Sequence, residues 1–160
     1  MPNKSSRPDN IEKTIKRNGN RLFRTALAIT GNKAESEDIV QDAFIKLIEK
    51  QPHFESKEHE SAWLLRVTIN LCKNRIRSHW WKKTESLLDI FPTYDRDEAD
   101  IMQTVLSLPV KYRTVIHLFY YEGYSTKEIA EITEQHEPAV RQQLTRARRM
   151  LKNYLEGEIE

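Results

Sequence analysis

The chain has 160 residues, 38% hydrophobic and 31% charged, with a net charge of +2. This leaves room for one domain or two small helical ones with modest cores. No apolar run approaches the roughly 18–20 residues that span a bilayer, the N-terminus lacks an apolar signal core, and Cys72 alone excludes an internal disulfide and a cysteine-based metal cage. A cytoplasmic protein is expected. Only 4 Gly and 6 Pro among many helix formers point to an all-α fold. Charge is unevenly spread. Lys73, Arg75, Arg77, Lys82 and Lys83 form one basic cluster, Arg141 to Lys152 form another, and Glu85 to Asp100 between them hold six acids and a single Arg. Two basic faces joined by an acidic connector suit a nucleic-acid partner touched at two places.

Residues 1–9 read as a disordered lead-in. From about Asn10 to Thr30, Ile11, Ile15, Leu22, Phe23, Ala26, Leu27 and Ile29 describe one helix, with Gly19 a candidate break and Gly31 its end. Asn32 is then a cap, with Glu35 three residues on completing a capping box. The next helix has the cleanest pattern: Ile39, Val40, Ala43, Phe44, Leu47 and Ile48 recur as adjacent pairs every four residues, leaving Glu37, Asp38, Gln41, Asp42 and Lys46 on the wet side. Gln51 to Ser61 has few core residues and a Pro, and reads as a loop. His53 and His59 within it have no further His or Cys nearby, so surface histidines rather than metal ligands are expected.

A long helix follows from about Glu60 to Lys82, with Leu65, Ile69, Cys72 and Ile76 as its buried stripe. Away from that stripe, Arg66, Asn70, Lys73, Asn74 and Arg77 make a cationic ridge, flanked by Trp63 and by Trp80 and Trp81. Cations beside aromatics hold phosphates and stack unpaired bases, although Trp63 serves equally well as a core residue. Residues 85–103 form the boundary between two units, 10–84 and 104–155. Met102, Val105, Leu106 and Leu108 suggest a short apolar helix. Pro109 stops it and opens the next, which carries Tyr112, Val115, Ile116, Leu118 and Phe119 and ends at Gly123.

The last quarter holds a third motif. Ser125 with Glu128 is a capping box that starts a short helix burying Ile129, Ala130 and Ile132. A second helix places Val140, Leu144, Ala147 and Leu151 on one face and Arg141, Gln142, Thr145, Arg146 and Arg149 on the other. A short helix, a tight turn and a basic helix make a helix-turn-helix, whose second helix fits a major groove; the alternative is a helical hairpin with a solvated basic face.

Taken together, these pieces resemble the extracytoplasmic-function (ECF) sigma factors, the small two-domain branch of the sigma-70 family of bacterial transcription initiation factors, from about Arg21 to Leu155. Glu37-Asp38-Ile39-Val40-Gln41-Asp42-Ala43-Phe44 resembles the second-region helix that docks on a coiled coil of the polymerase's largest subunit. Ala62-Trp63-Leu64-Leu65-Arg66-Val67-Thr68-Ile69-Asn70 is similar to the segment that opens and reads the minus-ten element. Leu108-Pro109, Tyr112-Arg113, Glu122-Gly123-Tyr124-Ser125, Glu128-Ile129-Ala130 and Arg146-Ala147-Arg148 resemble the fourth region, which reads the minus-thirty-five element. The chain departs from the family at Asn74, where an Asp is usual, and in the turn, where Thr133, Glu134 and His136 replace an apolar residue, Gly and a Ser cap.

The resemblance implies a factor that binds core RNA polymerase and promoter DNA, held inactive by a cognate anti-sigma factor that can be membrane-anchored. Asp38, Gln41, Asp42 and Phe44 would meet the polymerase, with Phe44 shared between core and interface. Trp63, Asn70, Lys73 and Arg77 would meet the melted minus-ten strand, with a base pocket at the 51–61 loop. Arg141, Gln142 and Thr145 would read bases, and Arg146 and Arg149 would hold the phosphate backbone. No nucleophile–base pair and no phosphate-binding Gly loop is evident, so no catalytic residue, cofactor, metal or small-molecule substrate is expected. The rival readings are a helix-turn-helix repressor that dimerises and senses a ligand through its first 84 residues, and a helical adaptor without DNA contact, which would leave both basic faces unexplained.

Overall fold

The computed structural model describes residues 11–78 and 96–157, and all regular structure among them is helical. Helix α1, Ile11–Thr30, runs through Gly19 without the anticipated break. Buried Asn18 and Leu22 on either side hold that stretch to the core, and such packing outweighs the roughly 1 kcal/mol helix penalty of one glycine. Ile15, read as a core residue, is 42% exposed. Gly31, at a φ of 64°, ends the helix by donating its N–H to the Leu27 carbonyl at 2.8 Å.

Asn32 begins α2, Lys33–Lys50, by accepting the Glu35 N–H at 2.9 Å. The other half of the expected capping box is missing, because the Glu35 carboxylate turns instead to an Arg75 N–H, a charge-assisted bond stronger than one to a neutral amide. Ile39, Ala43, Phe44 and Leu47 are buried, while Ile48 departs from the paired pattern and is 49% exposed.

The loop after α2 is shorter than the sequence suggested. Ser56 Oγ accepts the His59 N–H at 3.0 Å, and α3 begins at Lys57 and continues to Ser78. Glu58 and Glu60 in its first turn complement the helix dipole. Leu65, Ile69 and Cys72 are buried as anticipated, Leu64 is buried with them, and Ile76 is only half-buried. Burial pushes the Cys72 thiol up to about 12, so it serves as a small apolar residue. A polar hub fixes α3 on α1: Ser61 Oγ donates to Asn18 Oδ1 at 2.7 Å, and Arg17 donates to Glu60 at 2.7 Å.

Helix α4, Arg96–Leu106, begins inside the stretch read as a linker. Pro109 then opens α5, Val110–Ile116, which widens into a π-helical turn over His117–Tyr121. Gly123, at a φ of 76°, redirects the chain into the helix-turn-helix, α6 (Thr126–Thr133) and α7 (Glu137–Leu155). The two helical groups share one continuous hydrophobic core, since α1 packs on α5 and α3 packs on α6. The lead-in 1–9, the acidic stretch 85–95, and Trp80, Trp81, Lys82 and Lys83 lie outside the described residues.

Candidate nucleic-acid interface

The helix-turn-helix forms from local chemistry. Ser125 Oγ accepts the Glu128 N–H at 3.1 Å, and Glu128 Oε1 accepts the Ser125 N–H at 2.9 Å, so this capping box is complete. Its turn contains no glycine. Glu134 takes the left-handed conformation, φ 57° and ψ 48°, and His136 precedes α7 without a side-chain cap. The Gln135 N–H closes the turn on the Ala130 carbonyl at 2.9 Å, and side chains brace it: Gln143 Nε2 donates to Gln135 Oε1 at 2.7 Å, Gln135 Nε2 donates to Thr133 Oγ1 at 2.8 Å, and Thr126 Oγ1 donates to Glu137 at 2.8 Å.

On α7, Val140, Leu144 and Ala147 are buried and Leu151 is half-buried. Arg141, Gln142, Thr145, Arg146 and Arg149 are all exposed along the opposite face. Arg148, between those two faces, is committed to α5: its guanidinium lies 5.6 Å from the Phe119 and Tyr120 rings and donates to the Tyr120 hydroxyl at 2.5 Å. One arginine therefore fixes the helix while its neighbours stay in solvent.

The expected ridge on α3 is divided in use. Asn70, Asn74 and Arg77 are exposed and Lys73 is half-buried. Arg66 does not join them. It donates to the Glu131 carbonyl at 2.7 Å and lies 3.9 Å from Glu134, both on or beside α6. Arg75, counted with the basic cluster, is also withdrawn, because its guanidinium holds Glu35, Asp38 and Asp42 at 2.5, 2.5 and 2.9 Å. Trp63 is half-buried, its ring centroid 5.8 Å from that of Phe54. It lines a cleft of about 750 Å³ between the two helical groups, together with Arg17, Arg21, Arg66 and Tyr124.

On α2, Asp38 and Gln41 are exposed and Asp42 half-buried. Phe44, expected to be shared with a partner, is 7% exposed and belongs to the core. Apolar exposure on this helix comes instead from Ile45 and Ile48, at 48% and 49%. With Asp38 and Gln41 they follow a helical stripe of i, i+3, i+7 and i+10, which the core pattern assigned to Ile48 concealed in the sequence.

A clasp that no motif announced joins the two groups. Glu122, after the π-helical turn, receives Arg24 Nη2 at 3.0 Å, lies 3.7 Å from Arg21 Nε, and sits 3.0 Å from Nε2 of buried His117. Burial raises its pKa, but His117 and then Arg24 outweigh that and hold the carboxyl at about 2. Among the described residues no group of three or more His, Cys, Asp or Glu could hold a metal. No helix among them is long and apolar enough to cross a membrane.

Two family models match the chain. The family model for Sigma-70 region 2 matches residues 14–82, and that for Sigma-70, region 4, matches residues 98–151. The chain is 32% identical over 158 residues to the ECF RNA polymerase sigma factor SigW of Bacillus subtilis, covering 84% of this chain and 83% of SigW. It belongs to the ECF sigma factors of the sigma-70 family. This sigma factor is also 27% identical over 157 residues to the ECF RNA polymerase sigma factor SigE of Mycolicibacterium smegmatis, but spans only 61% of SigE's length. In fold the sigma factor is similar to RpoE from Bartonella quintana, solved with the anti-sigma factor NepR: TM-score 0.78, 21% identity, 92% of this chain and 98% of that one.

Proposed function

We propose that this sigma factor directs core RNA polymerase to specific promoters and melts the minus-ten element to start transcription. The observation that carries the reading is α7, whose Arg141, Gln142, Thr145, Arg146 and Arg149 all stand in solvent opposite a fully packed face. A groove-entering helix needs that arrangement, with base contacts near its N-terminus and phosphate contacts further on. Residues 10–84 form the unit that docks and melts, 85–103 the linker, and 104–155 the unit that reads the minus-thirty-five element. On α2, Asp38, Gln41 and Asp42 face the polymerase, with Ile45 and Ile48 beside them and Phe44 supporting the helix from beneath. On α3, Asn70, Lys73 and Arg77 hold the displaced strand, and Trp63 stacks against an extruded base.

The factor performs no covalent chemistry of its own: melting is capture of an unstacked base, and the polymerase supplies catalysis. As packed, Arg66 is bonded to α6 and Trp63 lines the cleft between the groups, so parting α3 from α6 would free both for nucleic acid. An anti-sigma factor in the cytoplasm, soluble or membrane-anchored, then acts by holding the factor away from its polymerase. The deciding experiment adds the purified protein to core RNA polymerase, isolates the complex and measures run-off transcription from a promoter library. Co-purification with promoter-specific transcripts is expected. A protein that binds palindromic duplex as a dimer and ignores the polymerase would be a repressor instead.

A further inference from the structure

Arg75 lies between α2 and α3 and serves three acids from successive turns of α2. Nη1 donates to Glu35 Oε2 at 2.5 Å, and Nη2 donates to Asp38 Oδ2 at 2.5 Å and to Asp42 Oδ2 at 2.9 Å. The arginine side chain is only 21% exposed, whereas those of Asp38 and Asp42 are 57% and 41% exposed. The guanidinium is therefore set behind the carboxylates it holds. In each aspartate the bond is made to Oδ2, so the second oxygen is not taken up by it. Without a cation, three carboxylates at this spacing on one helix repel one another and turn freely. With it, they form an ordered acidic face carrying two net negative charges, three carboxylates less one guanidinium.

We propose that Arg75 is a positioning residue for polymerase docking: it fixes the Asp38 and Asp42 carboxylates in the geometry the partner meets. The inference rests on the reading of α2 as the docking helix. Ordering these side chains before contact spares the complex the entropy of immobilising them later. A planar guanidinium holds its donors at fixed angles toward the three acids, whereas a lysine offers a compact point charge on a flexible stem.

Electrostatics alone predicts the opposite result, which makes the idea testable. Removing Arg75 makes the face more acidic, so a basic partner attracted by bulk charge would bind more tightly. Positioning predicts weaker binding. Fluorescently labelled protein, unchanged and as Arg75→Gln, Arg75→Lys and Asp42→Asn, is titrated with core RNA polymerase at several salt concentrations, with circular dichroism confirming the fold. We expect Arg75→Gln to weaken binding about tenfold and Arg75→Lys to recover only part of the loss. Asp42→Asn should cost markedly less in the Arg75→Lys background than in the unchanged protein, a coupling that general loosening of α3 would not produce. Should Arg75→Gln fail to fold, the Arg75→Lys and Asp42→Asn cycle decides alone. Binding as tight as the unchanged protein, or additive losses in the cycle, would overturn the inference. Asp42→Arg, measured alongside, tests docking itself: if it binds normally, α2 is not the docking helix, and if it alone loses binding, only the role of Arg75 falls.

Discussion

Glu134 occupies a left-handed backbone position, φ 57°, beside which the Gln135 N–H donates to the Ala130 carbonyl at 2.9 Å. An L-residue there costs roughly 1 kcal/mol that glycine does not incur. Its contact with Arg66, at 3.9 Å and largely exposed, offsets little of that. Glu134→Gly should therefore stabilise the protein by about 0.5–1 kcal/mol, raising the melting temperature by about 2–3 °C in a chain of this size. A thermal melt by circular dichroism checks this, and an unchanged or lower midpoint would show that the Gln135 and Gln143 amides already carry the turn without strain. His136 is a different case: it precedes α7 with no side-chain cap, so its replacement by Ser, a better N-cap, supplies a bond the turn now lacks.

At the scale of one helix, α7 allows two kinds of failure to be separated. Losing a base contact should cost roughly 1–3 kcal/mol and relax preference at one position. Losing a phosphate contact should weaken every sequence alike and flatten the salt dependence. Gln142→Ala is expected to do the first and Arg149→Ala the second, measured on a promoter library at several salt concentrations. Identical preference profiles with unaltered salt slopes would leave α7 a solvated face. The exposure of these five side chains was legible in the sequence because helical periodicity alone sorts them from Val140, Leu144 and Ala147. So was the Ser125–Glu128 box, whose partners stand three residues apart. What stayed hidden involves partners far along the chain. Arg66 reads as a cation of the ridge and Arg75 as one of a basic cluster, yet the acceptors that engage them lie 65 and 33–40 residues away. Glu122 reads as part of a family motif, and nothing local announces that α1 provides its arginines. Ile48 fitted a core pattern, and only the position of α3 and α1 shows which side of α2 is left bare.

Across the whole molecule, the Glu122 clasp sets a dependence on acidity. Its carboxyl titrates near 2 when folded, against about 4.3 in an unfolded chain. A depressed carboxyl contributes stability that is fully present above the unfolded value and is lost as the pH falls through the folded one. Urea unfolding of the unchanged protein and of Glu122→Gln should differ most above about pH 5, and the gap should close between about pH 4 and pH 2. A constant gap down to pH 2 would mean that the ionised carboxylate does not carry the contact. The shared core of the two groups has a further consequence, which is one of linkage. If only the parted form engages promoter and polymerase, each apparent affinity is the intrinsic one scaled by the fraction of molecules already parted. Loosening the clasp would then strengthen both interactions by a common factor, and a ligand that grips the joined form would weaken both by a common factor. The Glu122 carboxylate would thereby help set the concentration at which partners of the parted form are felt.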